Sequence, residues 1–408
     1  MISFVKKYYY IIISIFIQAI GTISSMLLLI VIANLQGVVN QGVFSRVKGY
    51  FDVFLVLGIL GLPQSFIYLI NKNVVSRKQI FIFSIWYILG FVTFFLIIFS
   101  LIFKLRIHIS GIDYNEVLIL IFALIGYLSQ GLWRGIYITY NSKISFAIFT
   151  ILPSVFLFFT ILIFSYFNFN NYYCAYFMSS LLLLISSILF MKNVLVTEKE
   201  NFIKRKLPIM KIFSYSGYSF FSTFFISLQL VLCYKFIDIV GGNSKDIAYL
   251  TSSFYIYQMP SILLGMLSPL LFNYMSNTIE SKNELLFKNL KFILLISFLS
   301  SILIYFASSN IVNLLFGNKY LDIVDYVKLL SLAIVPAIIS RLIMVALDTS
   351  GLFRINTLYS FSRLVILFII SFISYKIESN IIKPLLLGIV FSEYVVCFLY
   401  FITLNKIK

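Results

Sequence analysis

Charge is what this sequence lacks most. Only 11% of its 408 residues are Asp, Glu, Lys or Arg, against about a quarter in an ordinary soluble domain. The acids are scarcest, 14 against 31 bases, which leaves a net charge of +17 at pH 7. Histidine occurs once, at His108. A single imidazole excludes a multi-histidine metal centre and argues against a nucleophile–histidine pair. The three cysteines, Cys174, Cys233 and Cys397, lie far apart inside apolar runs. An odd number without metal-ligand spacing gives neither a disulfide framework nor a metal cluster. There is no phosphate-binding glycine loop, dinucleotide turn or catalytic elbow. The sequence therefore predicts no enzyme, no metal and no cofactor.

What is present is apolar: 61% of the residues are hydrophobic. A soluble domain of this length needs a mostly polar exterior, so a soluble enzyme and a nucleic-acid-binding module are both ruled out. The bases sit mainly in short gaps between apolar runs, the pattern of a polytopic membrane protein rather than of a nucleic-acid partner. Residues 8–33 form an apolar run behind Lys6 and Lys7. It is too long for a signal peptide and has no small-residue cleavage site, so it reads as a retained first helix.

Runs of about 20 apolar residues cross a bilayer as helices. Twelve are expected, at 8–33, 43–70, 79–103, 114–140, 144–166, 173–191, 212–237, 247–276, 289–307, 323–347, 355–374 and 383–404. They are continuous and lack the short alternating segments of a membrane β-barrel, so the fold class is an all-α integral membrane protein. With the N-terminus in the cytoplasm, the outer gaps hold Lys104, Arg106, Lys245, Lys319, Lys376 and Lys383, and the inner segments hold three times as many bases. That bias predicts both termini inside and an even number of crossings. The inner gap 192–211 carries six bases and Pro208 and reads as a linker between two six-helix lobes, 1–200 and 201–408. A shift of 204 residues places Gly37 on Gly241 and Gly61 on Gly265, with Pro63 and Pro269 close by. Together with equal helix numbers, this predicts a parallel duplication.

Ionisable residues inside the spans are the most informative, because each must face a cavity or a partner. The bases are Arg46, Lys48, Arg134, Lys235, Lys328, Arg341 and Arg363; the acids are Asp52, Asp325 and Glu393. Lys235 and Lys328 lie near outer span ends and read as snorkelling anchors. Arg134 and Arg341 lie about 10 Å from inner ends, where snorkelling and a cavity are both open. Arg363 and Glu393 are the deepest base and acid of the second half, at depths that agree within a few ångströms on the helical rise. They can form a buried pair, line the transport pathway, or do both. Lys48 and Asp52, four apart on one face, can also pair, which would leave Arg46 unneutralised. The excess of bases suits an anion such as a phosphate or diphosphate. Candidate ligands are Arg46, Lys48, Arg134, Arg341 and Arg363; candidate coupling or pairing carboxylates are Asp52 and Glu393. The 45 Phe and 28 Tyr read as lipid-facing filler and interface anchors rather than sugar-stacking platforms. The basic stretch 203–207 reads as topology signal rather than a lipid-binding helix.

Two regions carry a family resemblance. One is Gly37-Val-Val-Asn-Gln-Gly-Val-Phe-Ser-Arg-Val-Lys-Gly-Tyr50 with Leu60-Gly-Leu-Pro-Gln-Ser65. The other is Leu314-Leu-Phe-Gly-Asn-Lys-Tyr320 with Ala346-Leu-Asp-Thr-Ser-Gly351. With the topology and the cationic spans, they resemble the polysaccharide-transport branch of the multidrug/oligosaccharidyl-lipid/polysaccharide exporter superfamily, and within it the O-antigen flippases. The resemblance implies export of an undecaprenyl-diphosphate-linked oligosaccharide from inner to outer leaflet by alternating access. It implies a bacterial inner-membrane location and a place in lipopolysaccharide biosynthesis. Implied partners are the lipid-linked oligosaccharide, membrane lipids, and the polysaccharide polymerase and chain-length machinery; nucleic acid is not among them. Two rivals are a drug/cation antiporter of the same superfamily and a membrane sugar-repeat polymerase. The antiporter fits the cationic excess poorly, and the outer gap 308–322 is too short for a polymerase's catalytic loop.

Overall fold

A computed structural model describes residues 2–104, 114–140, 143–167, 169, 171–196, 208–277, 282–378 and 380–403. Within these, the side chains at 2–12, 14–15, 22, 102–104, 143, 193, 196, 215, 218–219 and 262–292 are not described. His108, most of the 192–211 linker with its 203–207 stretch, and the extreme C-terminus lie outside the described residues. Gly265 and Pro269 fall where side chains are not described.

The protein is all-α, with no strand among the described residues. The helices are α1 (Ile2–Val31), α2 (Val38–Ile59), α3 (Leu62–Asn71), α4 (Arg77–Lys104), α5 (Tyr114–Tyr137), α6 (Lys143–Tyr166) and α7 (Tyr172–Val196). Then follow α8 (Ile209–Ile239), α9 (Ser244–Asn277), α10 (Lys282–Phe316), α11 (Val324–Ser331), α12 (Ile334–Thr349), α13 (Phe353–Tyr375) and α14 (Ile382–Thr403). Among the described residues, ten helical segments are long and apolar enough to cross a membrane, or up to eleven when a bent pair is taken as one span. That is fewer than the twelve expected. The expected span 247–276 lies in α9, whose C-terminal half is not described in side-chain detail.

Two expected spans are broken. The run 43–70 is α2 and α3, separated where Leu60 and Gly61 take left-handed backbone, φ 48° and 66°. Gly61 tolerates that conformation and Pro63 suits the first turn of α3. The run 323–347 is α11 and α12, preceded by a 3-10 turn (Asn318–Ile323), with a 51° bend at the break. In a bilayer the freed carbonyls need donors. Ser301 Oγ donates to the Ser331 carbonyl at 2.8 Å and Tyr394 Oη to the Leu332 carbonyl at 3.0 Å. The expected outer gap 308–322 is mostly helix too, since α10 runs to Phe316.

The chain divides into two compact units that do not follow chain order. Unit one is Met1–Leu28 with Phe51–Phe220; unit two is Leu29–Tyr50 with Phe221–Lys408. In unit one α5 is the central helix, packed on α3, α4, α6 and α7. Small residues let the backbones approach: a Cβ at Gly126 would overlap the Ser180 carbonyl, and one at Gly135 would lie 2.7 Å from Pro63 Cα. Its polar groups are satisfied across helices. Trp133 Nε1 donates to Ser84 Oγ at 2.7 Å, and Gln130 Nε2 donates to the Phe149 carbonyl at 2.9 Å. In unit two, α13 packs along α14, and α12 lies against α9, α10 and α14. Gly388 makes the α13–α14 contact close, since a Cβ there would lie 2.5 Å from the Leu367 carbonyl oxygen. The Leu29–Tyr50 segment is fastened within unit two by Gln41, which donates to Ser252 Oγ at 2.9 Å and accepts from Tyr320 Oη.

Candidate functional site

The long-range pair that depth arithmetic allowed does form. Arg363 stands near the middle of α13 and Glu393 near the middle of α14. Arg363 Nη2 lies 3.2 Å from Glu393 Oε2, and the two side chains are 10% and 7% exposed. The pair is incompletely satisfied: neither Arg363 Nε nor Glu393 Oε2 makes a hydrogen bond. Two charges so far from water need more than each other, because desolvation costs several kcal/mol per ion and is offset only by good geometry and further hydrogen bonds.

The neighbours of this pair make it a site. Arg341, from the middle of α12, donates through Nη1 to the Ser261 carbonyl at 2.9 Å. Its charge acts on Glu393, Arg363 and Tyr257 of α9. Tyr257 is buried against Glu393, Arg341 and Arg363. Cys397 and Tyr400, one and two turns along α14 from Glu393, complete the surround. Four helices, α9, α12, α13 and α14, thus bring two guanidiniums, one carboxylate and two phenols together in the interior of unit two. The local charge excess is positive. Guanidiniums are the side chains best suited to grip a planar or tetrahedral oxyanion in a low-dielectric site.

The other candidates are placed elsewhere. Arg46 is not unneutralised: its Nη2 meets Asp238 Oδ1 at 2.7 Å, both about one-third exposed. Asp238 lies one residue beyond the end of the expected span 212–237, so the charge balance of the spans does not include it. Lys48 and Asp52 are half-buried on α2, the first in unit two and the second in unit one. Lys48 lies near Tyr234 of α8. Arg134 lies in unit one with its guanidinium 5.6 Å from the centre of the Phe146 ring. Its buried Nε has no hydrogen-bond partner, and no ion pair of Arg134 with a carboxylate occurs among the described residues. Lys328 pairs with Asp325 at 3.4 Å, and Lys235 lies 5.7 Å from the centre of the Tyr50 ring.

Three members of the network were not marked by the sequence. Tyr257 and Tyr400 look like two among many aromatic residues in apolar runs. Asp348, in the Ala346–Gly351 stretch, accepts a 2.6 Å hydrogen bond from Asn356 Nδ2, which also donates to the Met344 carbonyl at 2.8 Å. Its place after an apolar run was the available signal.

No protein-family model matches this sequence, and no curated protein matches it. Solved structures do. A MATE protein in its straight conformation superposes with a TM-score of 0.75 at 14% identity, covering 98% of this chain and 94% of its own. The fold is that of the MATE transporters. An outward-facing multidrug resistance MATE transporter of the MOP superfamily agrees at a TM-score of 0.73 and 14% identity, over 96% and 95% of the two chains. A MOP-superfamily transporter from Pyrococcus furiosus Vc1, described as having a binding pocket of reversed polarity that suggests a different function, gives 0.73 at 14% identity over 98% and 93%. The MATE fold accounts for the all-helical architecture and the two units.

Proposed function

We propose that this chain is a membrane transporter that moves an undecaprenyl-diphosphate-linked oligosaccharide, of the O-antigen type, from the inner to the outer leaflet of a bacterial inner membrane by alternating access. The observation that carries this reading is the buried Arg341–Arg363 pair of guanidiniums, balanced among the described residues by Glu393 alone. A site of that polarity disfavours a cationic drug and favours the diphosphate of a lipid-linked sugar. The MATE fold supports transport through moving lobes. The Pyrococcus furiosus neighbour is a precedent for a different function on this fold. Polymerase and chain-length proteins would act on the exported unit.

The experiment is complementation. A strain lacking its own O-antigen flippase receives the chain or one of five variants, Arg46→Ala, Lys48→Ala, Arg134→Ala, Arg341→Ala and Arg363→Ala. Arg341→Ala and Arg363→Ala should abolish surface polysaccharide. Full-length polysaccharide from all five at normal protein levels sinks the cationic-site reading. A drug/cation antiporter is then the better reading, a class to which the multidrug neighbour lends its fold. Resistance to cationic dyes conferred by the unmodified chain would select it.

A further inference from the structure

Resting on the lipid-linked reading above, we infer that an aromatic groove in unit one seats the polyisoprenoid tail of the cargo. The groove has a volume of about 580 Å³ and is walled by α4, by Leu57 and Leu60 of α2 and by Phe213 of α8. Helical periodicity builds the α4 wall. Phe83, Tyr87, Phe91 and Phe95 recur every four residues, with successive ring centres 6.2, 6.2 and 4.6 Å apart. Phe213 closes on Phe83 and Tyr87 at 6.3 and 6.5 Å. The neighbouring stripe of the helix is Trp86, Gly90 and Phe94. There Gly90 leaves a gap, since a Cβ on it would meet no atom within 4 Å. Trp86 is 71% and Phe94 57% exposed.

Depth, polarity and charge select the occupant. Trp86, Gly90 and Phe94 lie 8 to 16 residues beyond Lys78, about 12–24 Å along the helix, inside a hydrocarbon layer about 30 Å thick. Tryptophan on a membrane protein favours the interface, so a largely exposed one at this depth is not an anchor. The groove offers nothing to a sugar or a phosphate. Among the described residues none of its lining side chains is charged, and its hydroxyl, on Tyr87, is already donated to the Gly58 carbonyl at 2.8 Å. Apolarity alone does not separate a polyisoprenoid from an acyl chain, because lipid is as apolar as the wall. Shape does. Each isoprene unit carries a methyl branch and a double bond, so the chain is stiffer than a saturated one. It loses less freedom on binding and presents flat π segments to the rings. A lipid seated here with its tail towards the bilayer centre has its head at the start of α4 and α8. Lys78 and Lys211 are exposed in those first turns. Basic side chains and two helix N-termini at that end match an anionic head. The tail thus stays in the bilayer while the polar head crosses.

The test is the fluorescence of the full-length chain in nanodiscs of dibrominated phosphatidylcholine, whose bromines quench exposed tryptophan. The chain has two tryptophans. Trp133 is buried, and Trp86→Phe identifies the Trp86 signal. The probe is undecaprenyl phosphate; the control is phosphatidic acid, also a phosphate monoester but with acyl tails. Undecaprenyl phosphate should displace brominated chains from the groove and relieve the quenching of Trp86, whereas phosphatidic acid at the same mole fraction should not. Gly90→Leu places a side chain in the gap and should raise the probe concentration for half relief by about tenfold or more. In the flippase-deficient strain its surface polysaccharide should fall while its protein level matches the parent's. Equal relief by phosphatidic acid, or none by undecaprenyl phosphate, makes the groove an ordinary lipid-facing wall and overturns the inference; complementation by the unmodified chain then decides the flippase reading separately. Relief unchanged in Gly90→Leu puts the tail elsewhere and overturns it as well. Lost binding with undiminished export in Gly90→Leu overturns the link between groove and cargo. If the unmodified chain shows relief but fails to complement, the flippase reading falls and takes the cargo assignment with it.

Discussion

A buried ion pair is a poor stabiliser and a costly thing to break. Removing one partner strands the other, at about 3–5 kcal/mol, whereas replacing both is often neutral. That asymmetry separates structural from functional roles at Arg363 and Glu393. Arg363→Ala alone should lower the amount of protein in the membrane. The double variant Arg363→Ala with Glu393→Ala should restore the amount, read by immunoblot, but not surface polysaccharide. Restored export would mean the pair is only a clasp between α13 and α14. At Arg46 the expectation is milder, because a one-third-exposed pair is worth about 0–1 kcal/mol: Arg46→Ala should leave protein levels unchanged. These residues also show what sequence could and could not supply. Helical rise places Arg363 and Glu393 at one depth, so their meeting was legible. Asp238 was not, because its partner lies 192 residues away and nothing local marks the link. Tyr257 was hidden by abundance, one of 28 tyrosines in runs that favour aromatics anyway.

At the level of elements, continuous hydropathy is silent about backbone continuity. Both broken spans are long and apolar enough to read as crossings, so a count of apolar runs finds them without finding the breaks at Leu60–Gly61 and Leu332–Ala333. Gly-Leu-Pro was the local hint for the first; Pro336, which has no N–H to offer the Leu332 carbonyl four residues before it, is the hint for the second, where Ser301 and Tyr394 supply donors to the Ser331 and Leu332 carbonyls. Tyr394→Phe should leave the Leu332 carbonyl without that donor and destabilise the chain by about 1–3 kcal/mol, seen as a lower midpoint in thermal unfolding in detergent. An unchanged midpoint would show that another donor replaces it. Gly388 offers a second test. Valine there must push α13 from α14, because beside the Ser371 hydroxyl at 2.4 Å, which can turn away, stands the Leu367 backbone oxygen at 2.5 Å, which cannot. Overpacking of this kind costs about 1–3 kcal/mol. Since the same two helices carry Arg363 and Glu393, Gly388→Val should weaken export beyond its effect on protein level; export in proportion to level would uncouple the contact from the site.

For the whole molecule, the all-helical class and the large number of crossings follow from composition, because a bilayer leaves few other options for such a chain. The parallel duplication of residues 1–200 and 201–408 and the cytoplasmic placement of both termini are further proposals. With Cys174, Cys233 and Cys397 changed to serine, a cysteine at Asn243 should be labelled in intact cells by an impermeant thiol reagent, and one at Lys192 only after lysis. The opposite pattern would invert the topology. What composition could not supply is which parts of the chain make each unit, since hydropathy records how many helices there are and not which ones touch.

That membership bears on the order in which the protein is made. The Leu29–Tyr50 segment belongs with residues that follow Phe221. Gln41 reaches Ser252, 211 positions on, and Arg46 reaches Asp238, 192 positions on. At roughly 5–20 residues per second, the ribosome needs about 10–40 s to supply those partners. For that interval an arginine and a glutamine sit in a nascent chain without their final contacts, which makes the segment a natural client for the insertion machinery and the stretch where a stalled or truncated product would be recognised and degraded.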